Sequence, residues 1–174
     1  MILFLDIDGV LLPGRAYCLS CQTKPMVTQF DPCVVGMLNK LGSLGAKFVI
    51  HSSWLRIGVD MLNTYCQTDD IKDVKEHMVQ QGLLEKYFHE DHSVAYRFSG
   101  TRWLAITEWL DRHPEITDYR ILEDEAYPGE YGLNYDWIVQ TEFNEGLTFN
   151  QYMNLRTLFE DRAYGENYGL EENF

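Results

Sequence analysis

At 174 residues, with 45% apolar and 14% aromatic side chains, the chain has the length of one domain and can bury roughly 70% of its unfolded surface without a disulfide or metal staple. That composition excludes a disordered chain, and no apolar run approaches the ~20 residues of a membrane span. A net charge of −13 repels phosphodiester backbones and anionic lipid, which argues against a general nucleic-acid or membrane-surface binder.

The chain opens Met1-Ile2-Leu3-Phe4-Leu5-Asp6, without the basic start and long apolar stretch of a secretory signal. A cytoplasmic protein with thiol cysteines is therefore expected. Residues 2–6 read as a strand buried on both faces and ending in a carboxylate. Cys18-x-x-Cys21 has a zinc-like spacing, but a site would need Cys33, Cys66 or His51 to complete it. Loop thiols are the simpler reading.

Asp31-Pro32 starts a helix, with a capping side chain and proline at the first helical position. Val34, Val35, Met37, Leu38, Leu41 and Leu44 continue it at helical spacing. Lys47 to His51 reads as a second buried strand running into Ser52-Ser53-Trp54. Residues 55–88 look mostly helical, with Asp69 or Asp70 as a cap before Ile71, Val74, Met78 and Leu83. The stretch 86–98 is ambiguous, with a short strand placed near Val94–Phe98. Thr101 caps a helix carrying Trp103, Ile106, Trp109 and Leu110 that stops before Pro114. Tyr119 to Leu122 is a third strand, ending in Glu123-Asp124-Glu125, and Trp137 to Thr141 a fourth. A last helix runs from about Thr148 to Arg162. The domain then covers residues 1–162, followed by an acidic tail, 163–174. Strands and helices alternate, which predicts a three-layer α/β fold. Its mostly parallel, Rossmann-like sheet carries helices on both faces and at most a small cap, from segments 12–30 and 56–98.

In such sheets ligands bind beyond the carboxyl ends of the strands. Asp6 and Asp8, two apart on an extended segment, share a side, while Gly9 frees the backbone to turn. Asp6, Asp8, Glu123 and Asp124 gathered in one crevice repel one another unless a cation joins them. A hard divalent ion with oxygen ligands answers that need, and magnesium is the usual one beside a phosphate. An EF-hand does not fit, because the twelfth loop position counted from Asp6 is Tyr17 rather than glutamate. Read blandly, the D-x-D is a turn, Ser52 and Ser53 cap the next helix, and Glu123-Asp124-Glu125 is a solvated turn. The joint arrangement favours chemistry.

Phe4-Leu5-Asp6-Ile7-Asp8-Gly9-Val10-Leu11 resembles motif I of the haloacid dehalogenase (HAD) superfamily. Val49-Ile50-His51-Ser52-Ser53-Trp54 is similar to motif II, Tyr119 to Glu125 to motif IV, and Arg102 stands where motif III supplies a basic residue. The Ser-Trp pair, the Arg102 helix and Gln140-Thr141…Gly146-Leu147 resemble a small, nearly capless branch that includes HAD domains associated with RNA-repair proteins. Two positions depart from the pattern: Arg102 replaces the usual lysine, and Glu123 replaces the usual aspartate.

The resemblance implies a magnesium-dependent phosphomonoester hydrolase that works through an aspartyl-phosphate. It makes Asp6 the nucleophile and Asp8 the acid and base. Ser52 and Arg102 act on the phosphoryl oxygens, and Gly9, Val10 and Ser53 bind substrate. The metal is held by Asp6, the Asp8 carbonyl, and Glu123 or Asp124. The net charge favours a nucleotide or other small phosphoester over a nucleic-acid end. A catalytically idle fold that senses phosphate or binds a protein is the alternative class, prompted by Arg102 and Glu123. A D-x-D sugar-nucleotide transferase fits poorly, since only five residues precede the motif. His51 is expected to be a hydrogen-bonded core histidine, and His77, His89, His92 and His113 surface residues. Trp54, Tyr127, Tyr131 and Tyr135 follow strand ends, where they either pack or line a base-stacking entrance.

Overall fold

The apolar run at the start of the chain forms β1 (Ile2–Leu5), buried at all four positions. In this computed structural model the described residues are 1–15, 29–66, 71–96, 102–125 and 135–168. The other strands are β2 (Lys47–Ile50), β3 (Phe88–Ser93), β4 (Tyr119–Glu123) and β5 (Ile138–Gln140). They form one sheet in the order β3-β2-β1-β4-β5, and every pairing is parallel. The order reverses direction at β1, so the crevice beside it is where a ligand site is expected.

Side-chain alternation along the strands builds two cores. Leu3, Leu5, Phe48, Ile50 and Leu122 face one side, whereas Ile2, Phe4, Val49, Tyr119 and Ile121 face the other. On the first side lies α1 (Pro32–Ser43), whose capping Asp31 accepts the Cys33 N–H. With it packs α6 (Phe149–Tyr168). On the second side lies α5 (Arg102–Arg112), which buries Trp103, Ala105, Ile106 and Trp109. Trp109 meets the Phe4 ring edge-on at 5.3 Å.

The helical stretch after β2 is broken into α2 (Trp54–Ile57), α3 (Val59–Cys66) and α4 (Val74–Gln80). Gly58, with φ +77°, separates the first two, since a left-handed residue ends a helix. Asp73, not Asp69 or Asp70, caps α4 by accepting the Glu76 N–H; Asp69 and Asp70 lie outside the described residues. Leu62, Ile71, Val74 and Met78 are buried in the first core. Their segment is thus a packed layer of the domain rather than a lid.

The strand expected near Val94–Phe98 is instead β3, at Phe88–Ser93. Its sequence FHEDHS is polar because an edge strand keeps only part of its surface dry, so apolar patterning does not mark it. His77 is also corrected: it is 6% exposed, packed edge-on to Phe30 at 5.7 Å. The last helix continues to Tyr168, past the boundary expected at 162. Residues 169–174, the Cys18–Cys21 pair, Thr101, Tyr127 and Tyr131 lie outside the described residues. Among the described residues no helix is long and apolar enough to cross a membrane, and Cys33 is a free, exposed thiol.

Candidate active site

Parallel strands held in register deliver the residues at their ends to one level. Leu5 pairs with both Ile50 and Leu122, so Asp6, His51 and Glu123 stand in a row across β1, β2 and β4. The alternation that turns Phe4, Val49 and Ile121 toward α5 turns this row toward α5 as well. Arg102, the first residue of α5, meets it there. Its Nη1 donates to Asp6 Oδ2 at 2.7 Å and to both Glu123 carboxyl oxygens at 2.8 Å. Asp6 Oδ1 accepts the Ile7 N–H at 2.7 Å, and Glu123 Oε1 accepts the Glu125 N–H at 3.0 Å.

Asp124 completes a group of three carboxylates. Asp6, Glu123 and Asp124 can each offer an oxygen within 4.8 Å of the others. A hard divalent cation takes oxygen ligands of this kind, so the three acids could hold such an ion. Its electrostatics favour a cation too. Burial, and after it the charge on Asp6, pushes the Glu123 carboxyl up to about 9 despite Arg102. Burial raises Asp124 as well. Burial opposes the Arg102 charge, but Asp6 and Glu123 overcome it and hold the guanidinium above its ordinary pKa. Three acids and one guanidinium leave a site short of positive charge.

Asp8 is half-buried, and its carboxyl is not part of that group. Its Oδ2 accepts the indole N–H of Trp54 at 2.9 Å. Trp54 is itself 4% exposed, so it does not line a base-stacking entrance: β2 delivers it inward, against Phe30 and His77. Ser52 is fully buried and its Oγ accepts the Trp54 N–H at 3.3 Å. Ser53 is half-buried at the start of α2 and makes no side-chain cap bond.

Gly9 and Val10 shape the loop, since their N–H groups donate to the Leu12 and Ile7 carbonyls. Gly9 has φ +67°, and a Cβ there would come within 2.4 Å of Asp124 Cγ. Gly9→Ala therefore imposes both an unfavourable backbone conformation and a collision that displaces the Asp124 carboxyl group. We expect magnesium affinity, measured by calorimetry, to fall by about tenfold or more, as when a supporting contact is lost from a metal site.

The loop is also clamped from behind. The buried Thr141 hydroxyl donates to the Gly9 carbonyl at 2.7 Å, and the Leu147 N–H donates to the Val10 carbonyl at 3.2 Å. Gly146, with φ +68°, lets that segment approach; a Cβ there would stand 2.7 Å from the Val10 oxygen. The functional part of Thr141 and Gly146 is visible in the sequence only as the Gln140-Thr141…Gly146-Leu147 pattern.

His51 is the hydrogen-bonded core histidine expected from its strand. It is 0% exposed, and its Nε2 faces the Leu122 carbonyl at 3.2 Å. Burial lowers its pKa to about 4, so the ring is neutral near pH 7. Behind it, the Tyr96 hydroxyl donates to the His51 carbonyl.

Residues 2–152 match the model of a family described as the HAD domain in Swiss Army Knife RNA repair proteins. No curated protein matches the chain, and no solved structure does.

Proposed function

The chain belongs to the family of HAD domains in Swiss Army Knife RNA repair proteins, and from that premise we propose that it is a magnesium-dependent phosphomonoester hydrolase. HAD domains are phosphatase-type hydrolases, and the finer reading rests on one observation: the Asp6 carboxyl group at the end of β1 shares its surroundings with two more acids and is bonded to a guanidinium.

In this reading Asp6 attacks phosphorus in line and forms an aspartyl-phosphate while Asp8 gives a proton to the leaving oxygen. Asp8 then takes a proton from the water that hydrolyses the intermediate. Arg102 has the planar fork suited to phosphoryl oxygens and stabilises charge spread over them, and the Ser52 hydroxyl orients them. Asp6, the Asp8 carbonyl, Glu123 and Asp124 are the residues that would hold magnesium. Bound there, the ion would offset the repulsion between an anionic nucleophile and an anionic substrate.

The two departures from the family pattern support activity rather than idleness. The longer arginine and longer glutamate still meet, and Arg102 still reaches Asp6. The net charge of −13 favours a nucleotide or other small phosphoester. The family's description favours a second substrate class, the phosphorylated end of an RNA. Phosphate release with magnesium from nucleotides, sugar phosphates and 3′- or 5′-phosphorylated oligonucleotides tests both. Turnover confined to oligonucleotides selects the second class, and no turnover on any of them refutes the hydrolase.

A further inference from the structure

We propose that Trp54 is a positioning residue for Asp8, fixing the carboxyl group so that Oδ1, and not Oδ2, exchanges the proton with substrate and water. The inference rests on the hydrolase reading and deepens it.

The side chain of Asp8 sits on a loop after β1. Trp54 gives one of its carboxyl oxygens a donor held in place by packing. Its indole Nε1 donates to Asp8 Oδ2 at 2.9 Å, from 46 residues away in sequence. The indole has little freedom to turn aside. It is 4% exposed, and its ring is held by Phe30 at 6.4 Å and His77 at 5.9 Å. Phe30 and His77 also pack edge-on against each other. Trp54 opens α2 directly after Ser52 and Ser53, so the strand that carries Ser52 also carries the group that orients Asp8.

An indole N–H only donates, so Oδ2 is engaged as an acceptor, and the carbonyl-like oxygen is the better acceptor of the two. That contact favours the transferable proton on Oδ1. When the Asp6–phosphorus bond forms and the bond from phosphorus to the leaving oxygen breaks, the Oδ1 proton passes to that oxygen. When water attacks phosphorus and the Asp6–phosphorus bond breaks, the water proton returns to Oδ1. Placing a proton donor correctly matters most for leaving groups that cannot depart as anions.

Trp54→Phe keeps an aromatic ring in the Phe30–His77 pocket and removes only the donor. The test compares adenosine 5′-monophosphate, an alkyl ester whose leaving oxygen needs the proton, with p-nitrophenyl phosphate, whose leaving group departs without one. The variant is expected to lose about tenfold or more in kcat/KM, which reports the step that forms the aspartyl-phosphate, on the alkyl ester, with little change in kcat/KM on the aryl ester. Equal losses of kcat/KM on the two esters, or no loss on either, overturn the inference while leaving the hydrolase reading in place. Absence of wild-type turnover overturns the hydrolase reading itself. The contact has its own readout: in the wild-type tryptophan background, Asp8→Ala should shift the Trp54 indole proton–nitrogen resonance, assigned by its loss in Trp54→Phe. An unmoved resonance refutes the contact whatever the kinetics.

Discussion

Asp6→Asn is expected to remove magnesium-dependent phosphate release by about a thousandfold or more while leaving the fold intact. An amide cannot form the acyl-phosphate, and no other described residue occupies its position at the end of β1. The substitution is also gentle. The carbonyl of the introduced amide can accept either the Ile7 N–H or the Arg102 Nη1–H, so one of the two bonds of Asp6 is lost, but Arg102 keeps both of its contacts to Glu123. Removing one of three clustered acids relieves repulsion on Glu123, whose carboxyl is raised by burial and then by Asp6. Circular dichroism should therefore match the wild type. Phosphate release above a few per cent of wild type would show that another group attacks phosphorus.

Arg102→Met is the change expected to damage stability most. Its guanidinium is the cation bonded to Asp6 and Glu123, which are 1% and 0% exposed. Methionine fills similar volume but leaves both buried acids without a cation, held only by the Ile7 and Glu125 N–H groups, a loss of about 3–5 kcal/mol. For a domain of this size that lowers Tm by roughly 10 °C, at about 2–4 °C per kcal/mol. Magnesium should restore part of the loss if, as proposed, the ion binds the same carboxylates in the folded state only. Arg102→Lys keeps the charge and should recover most of the stability. A thermal scan of the three proteins with chelator and with magnesium reads all of this. An Arg102→Met protein as stable as wild type in chelator would contradict the role of the guanidinium as the cation that supports Asp6 and Glu123.

The parts of this fold legible in sequence are those where local pattern and tertiary role coincide. The run Ile2 to Leu5 is apolar because it is covered on both faces, and Asp31-Pro32 marks a helix start by its own chemistry. Asp6, Glu123 and Arg102 are visible because each ends a strand or begins a helix at the crevice. Other features depend on partners far along the chain. β3 carries acids and histidines because it lies at the sheet edge, so no alternation announces it. His77 looks like a surface residue until α4 turns it toward Phe30 and Trp54. The Trp54–Asp8 and Thr141–Gly9 bonds span 46 and 132 residues, and no local spacing encodes which donor will meet which acceptor. Gly58 breaks a helical stretch that apolar periodicity alone reads as continuous.

The central claim is that phosphorus becomes bonded to Asp6. Acid-quenching the enzyme during turnover with magnesium, reducing any acyl-phosphate with borohydride, and sequencing the peptides by mass spectrometry reads that bond directly. The account predicts homoserine in place of Asp6 and at no other acidic position. Reduction at Asp8, Glu123 or Asp124 instead, or none under conditions of steady turnover, would contradict it.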